Sequence, residues 1–345
     1  PACPADEMGQ AYEYLVGKFA DDAGNTAQEF YTNRTVVTLM AEILNPRPNE
    51  SIYDPTCGSG GMLIKCLTYL NDKGEEWQGV HVFGQEINGL TSSIARMNLY
   101  LNGIEDFSIV CADTLAHPAF LDGSRLRQFD IVLANPPYSI KQWDRDAFAH
   151  DKWGRNFLGT PPQGRADYAF FQHIIASMNP HTGRCAILFP HGILFREEEK
   201  EMRKQLVSMD ILDCIIGLGA NLFYNASMEA CIIICNNNKP AIKRDKVLFI
   251  DAKNEVTRKN AESYLEEAHI QKILNAYTDY RDIDGFAQVV RKEDILKNNA
   301  ELRIALYVHQ KQTADRLNFD RCLQDWQYTI PGIHSKIEDL IKKLE

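Results

Sequence analysis

The chain of 345 residues lacks any apolar run that approaches the ~20 residues needed to span a membrane. Its first residues, Pro1–Pro4, lack the basic segment and hydrophobic core of a secretory signal peptide. An initiator methionine is also missing, so we expect a fragment or a processed chain. These absences argue against an exported or membrane-bound protein.

The nine cysteines lack the regular spacing of a disulfide framework. Most lie in or beside apolar segments, as is typical of buried free thiols in a reducing cytoplasm. Cys231 and Cys235 stand close enough to suggest a metal site, but both fall inside the apolar run Ala230–Cys235. Because no second Cys or His pair stands at zinc spacing, we expect no metal and a cytoplasmic protein.

Basic residues are not in excess, since 37 Lys and Arg against 47 Asp and Glu give a net charge of −10. A protein that grips nucleic acid alone usually has a basic surface. Any contact with nucleic acid must therefore be local or shared with a basic partner. A local group of basic residues could either contact phosphates or lie on an ordinary solvated loop: Lys141, Arg145, Lys152, Arg155 and Arg165.

Short apolar runs alternate with amphipathic segments along most of the chain, which predicts a doubly wound, mostly parallel α/β sheet of seven to eight strands. The predicted strands are Ser51–Asp54, Val80–Gln85, Phe107–Ala112, Phe129–Ala134, Cys185–Phe189, Ile211–Ile216, Ala230–Cys235 and Val247–Ile250. The predicted helices are Val36–Leu44, Met62–Leu70, Leu90–Leu101, Tyr168–Met178 and Glu197–Ser208. No long helix separates the last two strands, so we expect an antiparallel pair at one edge.

Composition divides the chain into three predicted parts. Residues 1–30 carry an N-terminal helix, residues 31–250 form the sheet domain, and residues 251–345 form a mainly helical extension. The extension ends in an apolar stripe at helical spacing between Ile333 and Leu344. This stripe predicts a helix that packs on its own domain or contacts a partner.

A glycine-rich turn, Asp54–Gly61, follows the first predicted strand and opens a helix. Glycines let a ligand approach the backbone closely, and a helix N-terminus offers free N–H groups. The turn is not a P-loop, because no Gly-Lys-Ser/Thr follows. It could bind a dinucleotide, a phosphate or an adenosyl group.

Two further acids end the next two predicted strands. Glu86 can accept both hydroxyls of a ribose, and Asp113 can accept a hydrogen bond from an adenine amino group. Either acid could instead cap the segment that follows it. Together with Asp54, they outline a site for a nucleoside whose charged tail lies at the glycine-rich turn.

The fourth predicted strand ends in Asn135-Pro136-Pro137-Tyr138. Two consecutive prolines stop the strand and fix its backbone. An amide side chain, a carbonyl and an aromatic ring then stand together at a strand tip, where α/β sheets bind ligands. This cluster can hold a planar ring that bears an amino group; a simple β-turn is the alternative.

The glycine-rich turn followed by Asn-Pro-Pro-Tyr resembles the motif order of class I S-adenosylmethionine-dependent methyltransferases, and specifically of gamma-class DNA amino-methyltransferases. Further segments look like the modification subunits of type I restriction–modification systems, and the resemblance runs from about Gln10 to Tyr307. These segments are Tyr12–Phe19, Glu29–Arg34, Val36–Met40, Gly164–Phe170 and Asn221–Asn225. The resemblance implies methylation of the N6 amino group of a flipped-out adenine in double-stranded DNA.

The resemblance also implies roles for single residues and partners for the chain. Catalytic roles fall on Asn135, Pro136, Pro137 and Tyr138. Cofactor-binding roles fall on Glu29, Phe30, Tyr31, Thr32, Asn33, Arg34, Asp54, Gly58, Ser59, Gly60, Gly61, Glu86 and Asp113. The implied partners are a specificity subunit, a second copy of this chain and a restriction subunit.

Two departures from the family pattern qualify these implications. The family usually has Thr-Pro where this chain has Thr32-Asn33, which is expected to loosen the loop over the cofactor. The family also carries a helical domain ahead of this segment, which we expect to be absent here. Two alternatives remain open: amino methylation of a protein glutamine or an RNA base, and a non-catalytic scaffold of the same fold.

Overall fold

The computed structural model describes residues 32–220, 222, 229–259 and 262–309, which belong to one compact unit ending at His309. No helix within these ranges is long and apolar enough to cross a membrane. Several predictions concern residues outside the described ranges. They are the helix of residues 1–30, the roles of Glu29, Phe30 and Tyr31, most of the Asn221–Asn225 segment, and the stripe from Ile333 to Leu344.

Helices and strands alternate through most of the described chain. The helices are α1 (Arg34–Leu44), α2 (Gly61–Asp72), α3 (Gly89–Leu101), α4 (Arg145–Ala149), α5 (Asp167–Ala176), α6 (Lys200–Ser208), α7 (Glu267–Asp279) and α8 (Lys292–Lys297). The strands are β1 (Ile52–Asp54), β2 (Val82–Glu86), β3 (Phe107–Cys111), β4 (Leu121–Asp122), β5 (Arg125–Leu126), β6 (Ile131–Ala134), β7 (Arg184–Pro190), β8 (Leu212–Leu218), β9 (Ala230–Asn236), β10 (Lys246–Ala252), β11 (Thr257–Lys259), β12 (Glu262–Tyr264) and β13 (Ala287–Arg291).

Nine of these strands form one sheet in the order β13-β10-β8-β9-β7-β6-β1-β2-β3. The run from β7 through β6, β1 and β2 to β3 is parallel, and β10 is parallel to β8. Only β9 and β13 run antiparallel to their neighbours within this sheet. The doubly wound, mostly parallel α/β class expected from the sequence is therefore confirmed.

Two details of the predicted sheet are wrong. The predicted range of seven to eight strands is too low, because β13 adds an antiparallel edge strand from the region expected to be mainly helical. The expected antiparallel edge pair of β9 and β10 does not form. Instead β9 lies between β7 and β8, where its almost entirely buried run of apolar side chains is covered on both faces and both edges.

Alternation of side chains along the strands divides the core into two layers. In β7, Cys185, Ile187 and Phe189 point to the layer that contains α5 and α6, whereas Ala186 and Leu188 point to the layer that contains α1, α2 and α7. Helices therefore cover both faces of the sheet. This double cover explains why the central strands have near-continuous apolar sequences.

The order of the strands creates one crevice suited to a ligand. From β1 the chain proceeds outward to β2 and β3, and then returns to the other side of β1 to form β6 and β7. The carboxyl ends of β1 and β6 are thus neighbours at a topological switch point, where open α/β sheets bind their ligands. Asp54 ends β1, and Asn135 directly follows β6.

Candidate active site

The glycine-rich turn joins β1 to α2 at this crevice. Gly58 and Gly60 have φ angles of 53° and 81°, a left-handed backbone that a side chain would strain. Gly60 occupies the N-cap position and Gly61 begins the helix, so no side chain caps the first N–H groups of α2. The carbonyl of Ser59 accepts a hydrogen bond from a buried asparagine of α3 at 3.1 Å. The turn is therefore tightly held, and no side chain caps the helix that it opens.

Asp54 is 1% exposed, although it is a carboxylic acid. Its Oδ1 accepts a hydrogen bond from the Thr56 N–H at 2.9 Å. Burial raises the pKa of Asp54 to about 8, and the nearby charge of Glu86 acts in the same direction. No described Lys or Arg forms an ion pair with this carboxyl group. A cationic ligand group beside Asp54 would favour its ionised form.

Replacement of Asp54 by asparagine is expected to stabilise the fold more at pH 8 than at pH 5. The folded-state pKa lies near 8 and the ordinary value is 3.8. Between these values the folded protein keeps a proton that the unfolded chain has released, so the stability of the wild type falls as the pH rises through this window. Asparagine has no such proton, and its oxygen can still accept from Thr56.

Urea unfolding at pH 5 and pH 8 measures this difference. We expect Asp54→Asn to gain about 3 kcal/mol over the wild type between the two pH values, because the wild type loses stability over most of this window. The exposed Asp72 provides a control, since Asp72→Asn makes the same chemical replacement at the surface of the protein. An Asp54→Asn gain that is the same at both pH values would contradict the assignment of a raised pKa.

Glu86 connects β2 to the glycine-rich turn. Its Oε2 accepts a hydrogen bond from the Gly58 N–H at 3.1 Å, and its Oε1 accepts one from the Asn88 N–H at 2.9 Å. The carboxylate thus lies against the turn at the carboxyl end of its strand, as expected for a group that faces the same ligand as the turn. The side chain that follows it, Ile87, is 66% exposed.

Asp113 follows β3 and caps a short turn rather than a helix. Its Oδ1 accepts hydrogen bonds from the Leu115 N–H at 2.8 Å and the Ala116 N–H at 3.0 Å. Asp113 also lines a cleft of about 400 Å³. Aromatic side chains contribute to the walls of this cleft, namely Trp143, Phe148 and Trp153. Asp113 therefore caps the segment that follows it, which is the alternative role considered for this acid. The capping uses only Oδ1 of the carboxylate.

The buried side chain of Arg155 is hydrogen-bonded to the turn that follows Asp113. Its guanidinium donates to the carbonyl groups of Thr114 and Leu115 at 2.9 and 2.7 Å, and forms an ion pair with Asp151 at 2.6 Å. Arg155 is 1% exposed, so neither role considered for the local basic group, phosphate contact or an ordinary solvated loop, applies to this residue. Its position in a basic segment gave no sign that these hydrogen-bond acceptors would enclose it.

The Asn135-Pro136-Pro137-Tyr138 segment leaves the tip of β6 with a defined network of hydrogen bonds. Asn135 Nδ2 donates to Thr32 Oγ1 at 3.0 Å, and the Tyr138 hydroxyl donates to Asn135 Oδ1 at 2.7 Å. Pro136 is buried and Pro137 is exposed. The amide therefore has a fixed orientation, and its oxygen faces the side on which the Tyr138 ring lies.

The segment ahead of α1 reaches the same strand tip. Thr32 contacts Asn135 directly, and Arg34 begins α1. Asn33 caps α1 by accepting from the Thr35 N–H at 3.0 Å, and its Nδ2 donates to the Ser263 carbonyl at 2.9 Å. The side chain of Asn33 therefore ties the start of α1 to the β11–β12 hairpin.

The structure thus places several of the selected residues at the carboxyl ends of β1, β2, β3 and β6: Asp54, Gly58–Gly61, Glu86, Asp113 and Asn135–Tyr138. Thr32 contacts Asn135, Asn33 contacts the β11–β12 hairpin, and Arg34 is exposed at the start of α1. Sequence reasoning missed Ile87, although an apolar residue directly after an acid at a strand end is a usable signal. In the described ranges, no group of three or more His, Cys, Asp or Glu side chains could hold a metal ion. The seven described cysteines are free, and all except Cys111 are buried.

The chain is similar to methylase subunits of type I restriction enzymes. The type I restriction enzyme MjaVII methylase subunit from Methanocaldococcus jannaschii is 32% identical over 338 residues, covering 93% of this chain and 56% of that protein. The MpnII methylase subunit from Mycoplasma pneumoniae is 31% identical over 352 residues, covering 99% of this chain and 63% of that protein. This chain therefore spans less than two thirds of the length of either relative.

A solved structure shows the same similarity in three dimensions. The type I restriction–modification system methyltransferase subunit from Streptococcus thermophilus is 36% identical, with a TM-score of 0.78 over 88% of this chain and 64% of that one. The sequence profile of the N-6 DNA methylases matches residues 4–316. Since that match covers most of the sequence, the chain belongs to the N-6 DNA methylase family.

Proposed function

We propose that this chain transfers the methyl group of S-adenosylmethionine to the N6 amino group of an adenine flipped out of DNA, as the modification subunit of a type I restriction–modification complex. The observation that carries the proposal is the position of the oriented Asn135 amide beside the glycine-rich turn at the switch point of the sheet. A methyl donor held by the turn and an amino group held by the amide would then be neighbours.

The residues around the turn fit this cofactor. The open backbone of Gly58–Gly61 and the carboxyl group of Asp54 suit its charged methionine end. Glu86 would accept from the ribose hydroxyls and Asp113 from the adenine amino group, while the exposed Ile87 would cover one face of the adenine. Bound there, the cofactor supplies an electrophilic methyl group on a sulfonium.

Asn135 and Pro136 would make the amino nitrogen of the adenine a better nucleophile. The lone pair of the adenine N6 nitrogen is delocalised into the ring, so the nitrogen is a weak nucleophile. Asn135 Oδ1 and the Pro136 carbonyl can accept the two amino hydrogens and localise that lone pair. Their positions would direct the nitrogen toward the methyl group that the bound cofactor would supply. A strong general base is not required, because the proton leaves after the nitrogen has become cationic.

Tyr138 is expected to capture the flipped base by stacking. A base inside a duplex cannot reach this crevice and must rotate out of the helix. The Tyr138 hydroxyl now donates to the same Asn135 oxygen that would accept from the amino group, so the ring stands where the base has to arrive. On base entry, the ring must exchange that hydrogen bond for a stacking contact.

Tyr138→Ala should therefore weaken capture of the base more than Tyr138→Phe. Loss of stacking is worth ~1–3 kcal/mol, which corresponds to an increase of about 5- to 150-fold in the KM for DNA. The phenylalanine variant keeps the ring and removes only the hydroxyl, so its KM should stay within about threefold of the wild-type value. Steady-state kinetics, with 2-aminopurine fluorescence at the target position, measure both effects. Equal losses in the two variants would show that stacking is not the role of the ring.

Recognition of a DNA sequence would fall to partners. The net charge is −10, and the local basic group offers two exposed side chains, Lys141 and Lys152. We infer that a specificity subunit supplies most of the DNA contact, and that a second copy of this chain and a restriction subunit complete the complex. A DNA substrate and buried free thiols are consistent with a cytoplasmic location.

The division of the chain into parts is also a proposal. The methyltransferase unit would begin near residue 31, and residues beyond 309 would form a partner-binding extension. Residues 251–309 were expected to belong to that extension. Since they supply β13 and the hairpin that binds Asn33, we assign them to the methyltransferase unit.

The decisive test is methyl transfer by the full-length protein together with its specificity subunit. Labelled S-adenosylmethionine is supplied with duplex DNA, with RNA, or with a glutamine-bearing protein substrate, and the products are digested and identified. We expect N6-methyladenine in DNA alone. Label in RNA or protein would support the alternative substrates. Failure of the purified protein to bind the cofactor, with the fold intact, would support a non-catalytic scaffold.

A further inference from the structure

The segment Gly164–Phe170 carries part of the family resemblance, but the resemblance gives no role to any single residue in it. Its Asp167 opens α5 and is 0% exposed. A buried carboxylate requires partners, and Asp167 has two on different elements. Its Oδ1 accepts from the Ser139 N–H at 2.8 Å, and its Oδ2 pairs with Arg196 Nη1 at 2.5 Å.

Ser139 directly follows Tyr138 and has an unusual backbone conformation. Its φ angle is 53°, a left-handed value that costs a residue with a side chain about 1–2 kcal/mol. The hydrogen bond from its N–H to Asp167 holds that conformation. Since Tyr138 in turn donates to Asn135 Oδ1, the carboxylate of Asp167 supports the loop from which both functional side chains extend.

Arg196 is itself held in place for this contact. It lies between β7 and α6, and its Nη1 also approaches Glu199 Oε1 at 3.4 Å. Its guanidinium packs against Gly192, where a Cβ atom would come within 2.7 Å of Arg196 Nε. The buried Arg203 donates to the Arg196 carbonyl at 2.6 Å. The arginine therefore presents a fixed charge to Asp167.

We propose that Asp167, held by Arg196, is a positioning residue for methyl transfer: it fixes the backbone at Ser139 and thereby the geometry of the Asn135–Tyr138 loop. The proposal rests on the proposed function of that loop. Asp167 does not touch the reacting groups in this assignment, because its side chain is 0% exposed and faces Ser139 and Arg196. Displacement of reacting groups by about 1 Å can lower a rate by about 100-fold.

The experiment uses the full-length protein in its complex with the specificity subunit and compares Asp167→Ala with Asp167→Asn. Alanine removes both contacts. Asparagine is isosteric and can still accept from the Ser139 N–H, but it lacks the charge that pairs with Arg196. Steady-state rates with saturating cofactor and DNA report kcat, titration calorimetry reports cofactor affinity, and 2-aminopurine fluorescence reports base flipping.

A matched control separates positioning from general stability. Arg184 and Glu50 form a half-buried ion pair on the same sheet domain at 2.8 Å, away from the carboxyl ends of the strands. Glu50→Gln should lower the melting temperature and leave kcat unchanged. The Asp167 variants are compared with this control at a temperature at which all of them are folded.

We expect Asp167→Ala to lower kcat by about 10- to 100-fold, with cofactor affinity within about threefold of wild type and altered base-flipping fluorescence. Asp167→Asn should retain more of the rate than the alanine variant. If the alanine variant does not fold, a wild-type kcat for Asp167→Asn combined with unaltered fluorescence overturns the inference. Wild-type rates in both variants also overturn it. A wild-type complex that transfers no methyl group to DNA refutes instead the proposed function, and the inference with it.

Discussion

Asn135→Ala is expected to abolish methyl transfer, with a fall in the single-turnover rate of at least about 100- to 1000-fold and little change in cofactor affinity. The expected size follows from removal of one preorganised hydrogen-bonding group at a reacting centre. Alanine cannot accept a hydrogen from the amino group, and it also leaves the Tyr138 hydroxyl and Thr32 Oγ1 without their present partner. None of these contacts involves the glycine-rich turn.

Rapid-quench measurement of labelled DNA and calorimetric titration of the cofactor test this result in the full complex. Asn135→Asp is the matched variant, because it keeps an acceptor oxygen at the same place and should lose less of the rate than alanine. A near-normal rate for Asn135→Ala would refute the role of the amide. A rate that falls only because the cofactor no longer binds would assign Asn135 to the cofactor site instead.

Glu86→Ala is expected to weaken cofactor binding by about 100-fold or more. The carboxylate would lose its bonds to the ribose hydroxyls, and hydrogen bonds to a charged group are worth about 1.5–3 kcal/mol each. The substitution would also leave the N–H groups of Gly58 and Asn88 without the carboxylate oxygens that now accept from them at 3.1 and 2.9 Å. The glycine-rich turn would then lose part of its order before any ligand arrives.

Titration calorimetry of the purified protein measures the affinity directly. Glu86→Gln keeps the shape and one acceptor oxygen, so it should lose less affinity than alanine. Glu75→Ala changes a half-exposed glutamate near the end of α2 and serves as a control for the loss of one negative charge. A wild-type dissociation constant for Glu86→Ala would exclude this residue from the cofactor site.

The local parts of the site could be predicted from the sequence. The turn after β1, the acids that end β2 and β3 and the Asn135 segment are each encoded by a few adjacent residues. Their order along parallel strands is enough to place them at one edge of a sheet. The class of the fold follows from the same alternation of strands and helices.

Contacts between distant segments could not be predicted in this way. Thr32 and Asn135 are 103 positions apart, and Ser139 and Asp167 meet only because α5 packs behind the loop that follows β6. The burial of Arg155 depends on carbonyl groups of another turn. The position of β9 between β7 and β8 depends on pairing with strands that are distant in sequence. The apolar sequence of β9 predicts a buried strand but does not identify its neighbours.

The hydrogen bond from Asn135 to Thr32 has a chemical consequence for which bases the crevice would accept. With Nδ2 engaged by Thr32, the amide presents oxygen rather than nitrogen to an incoming base. A guanine or thymine would bring a carbonyl oxygen to that position, and two acceptors would repel each other. Thr32 would thus make the site reject guanine and thymine, whatever DNA sequence surrounds the flipped base.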